Sequence, residues 1–188
     1  MNPKRFFIGR TIGLLVVLAL VGIFFLIKPS TKTPDNTDKT GIQGYKDATY
    51  NIDGLSVKLV NGYAEDEAAP DSAEKIITKY FGNEAKGDLN GDGLEDVVFL
   101  LTQTSGGTGT FYYVVVATQI PVKSMGYIGT NAVLLGDRIA PQTTEIRDGK
   151  IIVNYADRGP SEPMSAKPTI GVSKYLIIEN NRLVETQQ

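Results

Sequence analysis

The 188-residue chain contains no cysteine, no histidine and no tryptophan. Without cysteine there are no disulfides, no thiolate metal sites and no lipid-modified cysteine anchor, and the redox compartment is left unmarked. Without histidine the usual general base near neutral pH and the commonest zinc ligand are missing. Any catalysis would have to rest on carboxylates, Ser, Lys, Arg and Tyr. Basic side chains are also in short supply beyond the first quarter of the chain. Residues 45–188 hold 13 Lys/Arg against 19 Asp/Glu, a net of −6, whereas the whole chain is only −2. An acidic domain without a basic stripe repels the phosphate backbone, which argues against nucleic acid as a partner.

What is present begins with a long apolar run. Phe6 to Ile27 reads FFIGRTIGLLVVLALVGIFFLI, and Thr11–Ile27 carries no charge. Arg10 can snorkel to the headgroups. At about 1.5 Å per residue, these 22 residues span about 33 Å, enough for a hydrocarbon core of about 30 Å. Lys4, Arg5 and Arg10 outnumber the charges just after the run, which favours an N-terminus inside and the remainder outside. A cleaved signal peptide would have a shorter apolar region and a small-x-small cleavage site, but FFLIKPS follows here. The expectation is a cytoplasmic N-terminus at residues 1–5, a bilayer-spanning anchor at 6–27 and a single-pass protein of the cell membrane. Residues 28–44, KPSTKTPDNTDKTGIQG, have too few apolar side chains to offset their ordering entropy and read as a flexible tether of about 20–25 Å.

From Tyr45 onward, β-prone runs alternate with turn pairs. Asp53-Gly54, Asn61-Gly62, Asp148-Gly149 and Asn180-Asn181 each separate two such runs, as two-residue hairpin turns do. Val97–Thr102 and Phe111–Thr118 are nearly continuous apolar stretches, the pattern of strands covered on both faces. The reading is an extracytoplasmic domain over residues 45–188, mainly β, built as an antiparallel sandwich or barrel-like fold. Ser72–Phe81 is ambiguous. Asp71 and Glu74 stand at capping-box spacing and Gly82 would stop a helix, yet Ile-Ile-Thr and Tyr-Phe favour a strand. Strand is preferred, and one short helix there would make the domain α+β.

One motif carries chemistry. Residues 88–96 read DLNGDGLED. Calcium is a hard cation that takes six to eight oxygens at flexible geometry. Asp88, Asn90 and Asp92 offer three side-chain oxygens at loop positions 1, 3 and 5. Gly93 permits the sharp reversal, the Leu94 carbonyl can supply position 7, and Asp96 can close the site at position 9. Position 12 is Phe99, so the bidentate Glu of a helix–loop–helix calcium site is missing and a strand follows instead. The expected ion is structural calcium.

This run resembles the calcium loops of FG-GAP (integrin-type) blades, in which a D-x-[DN]-x-D-G-x-x-D loop joins two antiparallel strands and the ninth carboxylate is a ligand. The match covers the loop and the strand after it, in one copy, so it implies a metal site and a hairpin and not a propeller. More broadly, GDLNGDG, DVVFLLTQ, GTFYYVVVA, TNAVLLGDRIAPQTTEI, IIVNYADR and EPM in that order look like an uncharacterised family of envelope-anchored bacterial β domains. That likeness spans most of residues 45–188 and implies no activity.

Other candidates are weaker. Thr104–Thr110 is Gly-rich but lacks the G-K-[ST] ending of a phosphate loop, and reads as a hairpin loop. Gly136-Asp137-Arg138 and the Pro-rich stretch Ala156–Lys167 concentrate charge at Asp137, Asp157, Arg158, Glu162 and Lys167. Functionally, the sequence points to a tethered, calcium-stabilised binding or structural module of the cell envelope, with a protein or glycan partner. The competing reading is a carboxylate hydrolase of envelope polysaccharide using Asp137 with Asp157 or Glu162.

Overall fold

In the computed structural model, residues 44–122 and 126–188 are described. The anchor at 6–27 and the tether up to residue 43 lie outside them. Among the described residues no helix is long and apolar enough to cross a membrane.

The domain opens with a 3-10 turn, Tyr45–Asp47, and continues as strands. β1 (Thr49–Ile52) and β2 (Leu55–Lys58) form a hairpin, closed by Asp53 and Gly54 at φ +50° and +86°. Positive φ at both turn residues is what matches the right-handed twist of the flanking strands. The second sheet runs in the order β3 (Tyr63–Glu67), β4 (Lys75–Gly87), β5 (Asp96–Ser105), β6 (Phe111–Gln119) and β7 (Tyr127–Gly129). β8 (Val133–Asp137) also pairs with β6. The third sheet orders β12 (Arg182–Thr186), β11 (Ile170–Glu179), β10 (Lys150–Asp157) and β9 (Ala140–Arg147). Every strand pairing is antiparallel. The domain is mainly β, as the turn rhythm implies.

β5 and β6 explain why their sequences are apolar without alternation. Val97, Phe99 and Leu101 of β5 join Tyr113 and Val115 of β6 in a core with Tyr50, Ile52, Val57 and Leu59 of the hairpin segment. Val98 and Leu100, with Val114 and Val116, face the other way into a second core shared with Ile151, Val153 and Leu176 of the third sheet. Each strand is buried on both faces, so hydrophobic side chains stabilise both parities. Contact of β1 with β7 is set by Gly129, where a Cβ would overlap the Thr49 carbonyl and the Tyr50 ring.

The ambiguous segment is a strand. β4 extends 13 residues, pairs with β3 on one side and β5 on the other, and carries no helix. Two-sided pairing satisfies its backbone more fully than an isolated helical turn capped at Asp71 would. The single-helix, α+β alternative therefore falls. β4 bends where its register with β5 shifts between Tyr80 and Ala85, with Gly82 and Asn83 at φ +106° and +54°.

Candidate metal centre

The loop of residues 88–95 joins β4 to β5, and Gly87 stands opposite Asp96 at the mouth of that hairpin. The Asp88 carboxylate organises the turn. Its Oδ1 accepts the Gly91 amide at 2.7 Å and the Asp92 amide at 3.2 Å, and its Oδ2 accepts the Gly93 amide at 2.9 Å. These bonds, the Gly93 amide foremost, hold Asp88 below the ordinary carboxylate range. Asn90 Oδ1 accepts the Asp92 amide at 3.0 Å, and Asn90 Nδ2 donates to Asp92 Oδ2 at 3.0 Å. Asp92 Oδ1 accepts the Leu94 amide at 2.8 Å. The three side chains predicted at positions 1, 3 and 5 thus converge on one turn.

Asp96 is different in kind. It begins β5 and is fully buried. Its Oδ2 accepts the Leu89 amide at 2.9 Å, and its Oδ1 accepts the Gln119 amide at 3.0 Å. The carboxylate therefore ties the loop to the end of β6. Burial pushes its pKa up, the two amides pull it back, and the negative charges of Asp92 and Asp88 add to the rise. The net direction is upward. A buried carboxylate that feels two neighbouring carboxylates is relieved by a cation.

In donor chemistry the loop fits a hard cation: Asp88, Asn90, Asp92, the Leu94 carbonyl and Asp96 supply only oxygen. Preassembly is another matter. Among the described residues no group of three or more His, Cys, Asp or Glu side chains stands gathered at metal-holding distance. The loop carboxylates are turned onto their own backbone amides. An oxygen that accepts one N–H keeps a second lone pair, so these bonds and an ion are compatible.

Within the β4 bulge sits a carboxylate that sequence reasoning did not single out. Glu84 Oε2 accepts the hydroxyls of Tyr45 at 2.9 Å and Tyr80 at 2.8 Å. The Lys46 ammonium lies 3.8 Å from the centroid of the Tyr80 ring and 5.5 Å from that of Tyr45. Both rings pack on Phe99. Burial and the Glu84 bond push the Tyr45 phenol up to about 12, so it remains a donor. Burial also raises Glu84, but the two phenols and the Lys46 and Lys86 charges bring it net below its ordinary value. The Tyr50 hydroxyl donates to the Tyr45 carbonyl at 2.6 Å, and the Asn61 amide to Asp47 Oδ1 at 2.8 Å. The first turn of the domain is clamped to the sheet. A partner 39 residues away leaves no local sequence signal.

The carboxylates of the hydrolase reading each have backbone work. Asp137 accepts the Thr110 amide at 2.8 Å and pairs with Arg138 at 3.0 Å. Asp157 accepts the Arg158 amide at 2.7 Å, and Glu162 accepts the Gly159 amide at 2.6 Å. The Arg158 guanidinium donates to the carbonyls of Ala166, Asp137 and Arg138, tying the long β10–β11 connection to the end of β8. This is the bonding of a braced loop.

The chain was compared with protein-family models, curated proteins and solved structures, and nothing matches.

Proposed function

We propose that the protein is a membrane-anchored, extracytoplasmic binding or structural module of the cell envelope whose β4–β5 hairpin is stabilised by calcium. The observation that carries the calcium reading is the burial of Asp96 within reach of the charges of Asp88 and Asp92. In that arrangement Asp88, Asn90, Asp92, the Leu94 carbonyl and Asp96 would hold the ion. Its role is charge neutralisation and fixing of the turn; no reaction is ascribed to it. The likeness of the loop to FG-GAP calcium loops and its place between antiparallel strands support the same reading.

The anchor at residues 6–27 rests on the length and uniformity of the apolar run, and the outward orientation on the basic residues before it. An extracytoplasmic position also suits a site of modest affinity, because extracellular calcium modules work in the 10⁻⁴–10⁻³ M range. Calorimetric titration of the full chain tests the metal site. Calcium should bind with about one-to-one stoichiometry, magnesium more weakly, and Asp92→Ala should remove the heat. Carbonate extraction of cells tests the anchor. The chain should stay with the membranes, and recovery of the full-length chain in the soluble fraction would overturn the location.

A further inference from the structure

We infer that the domain has a docking groove for a basic, extended polypeptide segment of a partner, laid along β2 as an added strand. This names a partner class for the binding-module reading and rests on it.

A cavity of about 180 Å³ opens where the β1–β2 hairpin lies over the β3 side of the second sheet. Leu55 and Val57 of β2, Asp66 and Glu67 of β3, Ile76 of β4 and Gln103 of β5 line it. Gln103 is fixed there by its amide bond to Thr78 Oγ1 at 3.2 Å. Leu55 is 61% exposed beside this opening, a large apolar side chain with little of its own domain to cover it. Among the described residues β2 pairs with β1 alone, so its other edge has no strand partner, and Leu55, Ser56 and Val57 of this strand line the cavity. An edge of that kind takes an added strand, with pockets beside it selecting alternate side chains.

Charge selects the occupant. From Tyr63 to Glu74 the chain carries Glu65, Asp66, Glu67, Asp71 and Glu74 and no basic residue. Glu67 pairs with Lys75 at 3.2 Å. No ion pair holds Asp66 among the described residues, and it faces the cavity. A Lys or Arg side chain satisfies both halves of the site, its aliphatic stem against Leu55, Val57 and Ile76 and its charge at Asp66. A second copy of this chain would bring a like-charged β3 edge to the same place, which repels. A polyanion is disfavoured for the same reason. The occupant is therefore a basic segment from another polypeptide.

The probe is a fluorescein-labelled octapeptide alternating Lys and Val, titrated against the full chain and read by anisotropy. It should bind saturably, and the Glu-Val counterpart should not. Asp66→Lys and Leu55→Ser should each weaken binding about tenfold, the scale of a central contact residue. Glu179→Lys makes the same charge change on the third sheet and should leave affinity unchanged. A probe N-methylated at alternate amides should lose binding, because strand addition needs those donors. Equal loss in Asp66→Lys and Glu179→Lys would reduce the effect to diffuse charge and overturn the groove. Undiminished binding of the N-methylated probe would overturn strand addition. If no peptide binds while calcium still binds the loop, this inference fails and the calcium reading stands.

Discussion

Two carboxylates of the β4–β5 hairpin, Glu84 in the bulge of β4 and Asp96 at the start of β5, are pushed in opposite directions by their surroundings. Asp96 is sealed behind the loop, receives two backbone amides and sits near Asp88 and Asp92, and its pKa rises. Glu84 receives two phenol hydroxyls with the Lys46 ammonium close by, and its pKa falls. The clamp at Glu84 is electrostatically complete within the chain. At the turn of Asp96, Lys86 pairs with Glu95, but among the described residues no ion pair neutralises Asp88, Asp92 or Asp96. That contrast is the physical reason to look for a cation at the Asp88–Asp96 turn and not at the Glu84 clamp.

The largest expected effect is at Asp96. Asp96→Ala orphans the amides of Leu89 and Gln119, and at about 1–3 kcal/mol per unsatisfied buried group the loss is about 3 kcal/mol or more. Urea unfolding of this variant measures it, and a loss under about 1 kcal/mol would mean that water replaces the carboxylate. Glu84→Ala should cost less, about 1–2 kcal/mol, since the two phenols it frees are partly open to water. The same unfolding experiment, run beside Asp96→Ala, ranks the two. Lys46→Ala should cost least, about 0.5–1 kcal/mol, for a half-exposed ammonium whose closer cation–π contact is with Tyr80 and whose longer one is with Tyr45.

pH separates the two sites by sign. Glu84 has a folded pKa below its unfolded value, so its contribution is present above the ordinary range and is lost as pH falls through the folded pKa. Asp96 has a folded pKa above the ordinary 3.8, so its ionisation opposes folding. As pH falls through that raised value toward 3.8, Asp96 should add stability in chelator. Glu84→Gln should flatten the acid-side loss at the lower end of a pH-dependent denaturation series and leave the Asp96 component in place. A wild-type and Glu84→Gln series that run parallel throughout would show that the clamp carries no net charge effect.

The parts of this structure that sequence made legible are the local ones. Asp53-Gly54, Asp148-Gly149 and Asn180-Asn181 are hairpin turns because both residues of each pair adopt positive φ, which those residue types tolerate. The unbroken apolar runs of β5 and β6 announce burial on both faces. Ser72–Phe81 was ambiguous because its capping signals are local while the partners that make Lys75–Gly87 a strand, β3 and β5, are supplied by the fold. The loop at 88–96 shows its oxygen donors in the sequence. That Asp96 also braces the Gln119 amide, 23 residues on, depends on the β5–β6 hairpin and does not. The same holds for Tyr45 on Glu84 and for Gly129 under Tyr50: each is a contact between distant segments made by residue types with no distinctive spacing.

The most direct test of the calcium account is the melting temperature of the full chain in chelator and in about 10 mM calcium, about a hundredfold over a dissociation constant of about 10⁻⁴ M. Ion at about a hundredfold over its dissociation constant adds about 2.7 kcal/mol, so calcium should raise the melting temperature by about 5–10 °C in wild type and by nothing in Asp92→Ala. Superimposable wild-type melts in calcium and in chelator would contradict it, and would leave Asp88–Asp96 as an amide-bonded turn that tolerates its own charge.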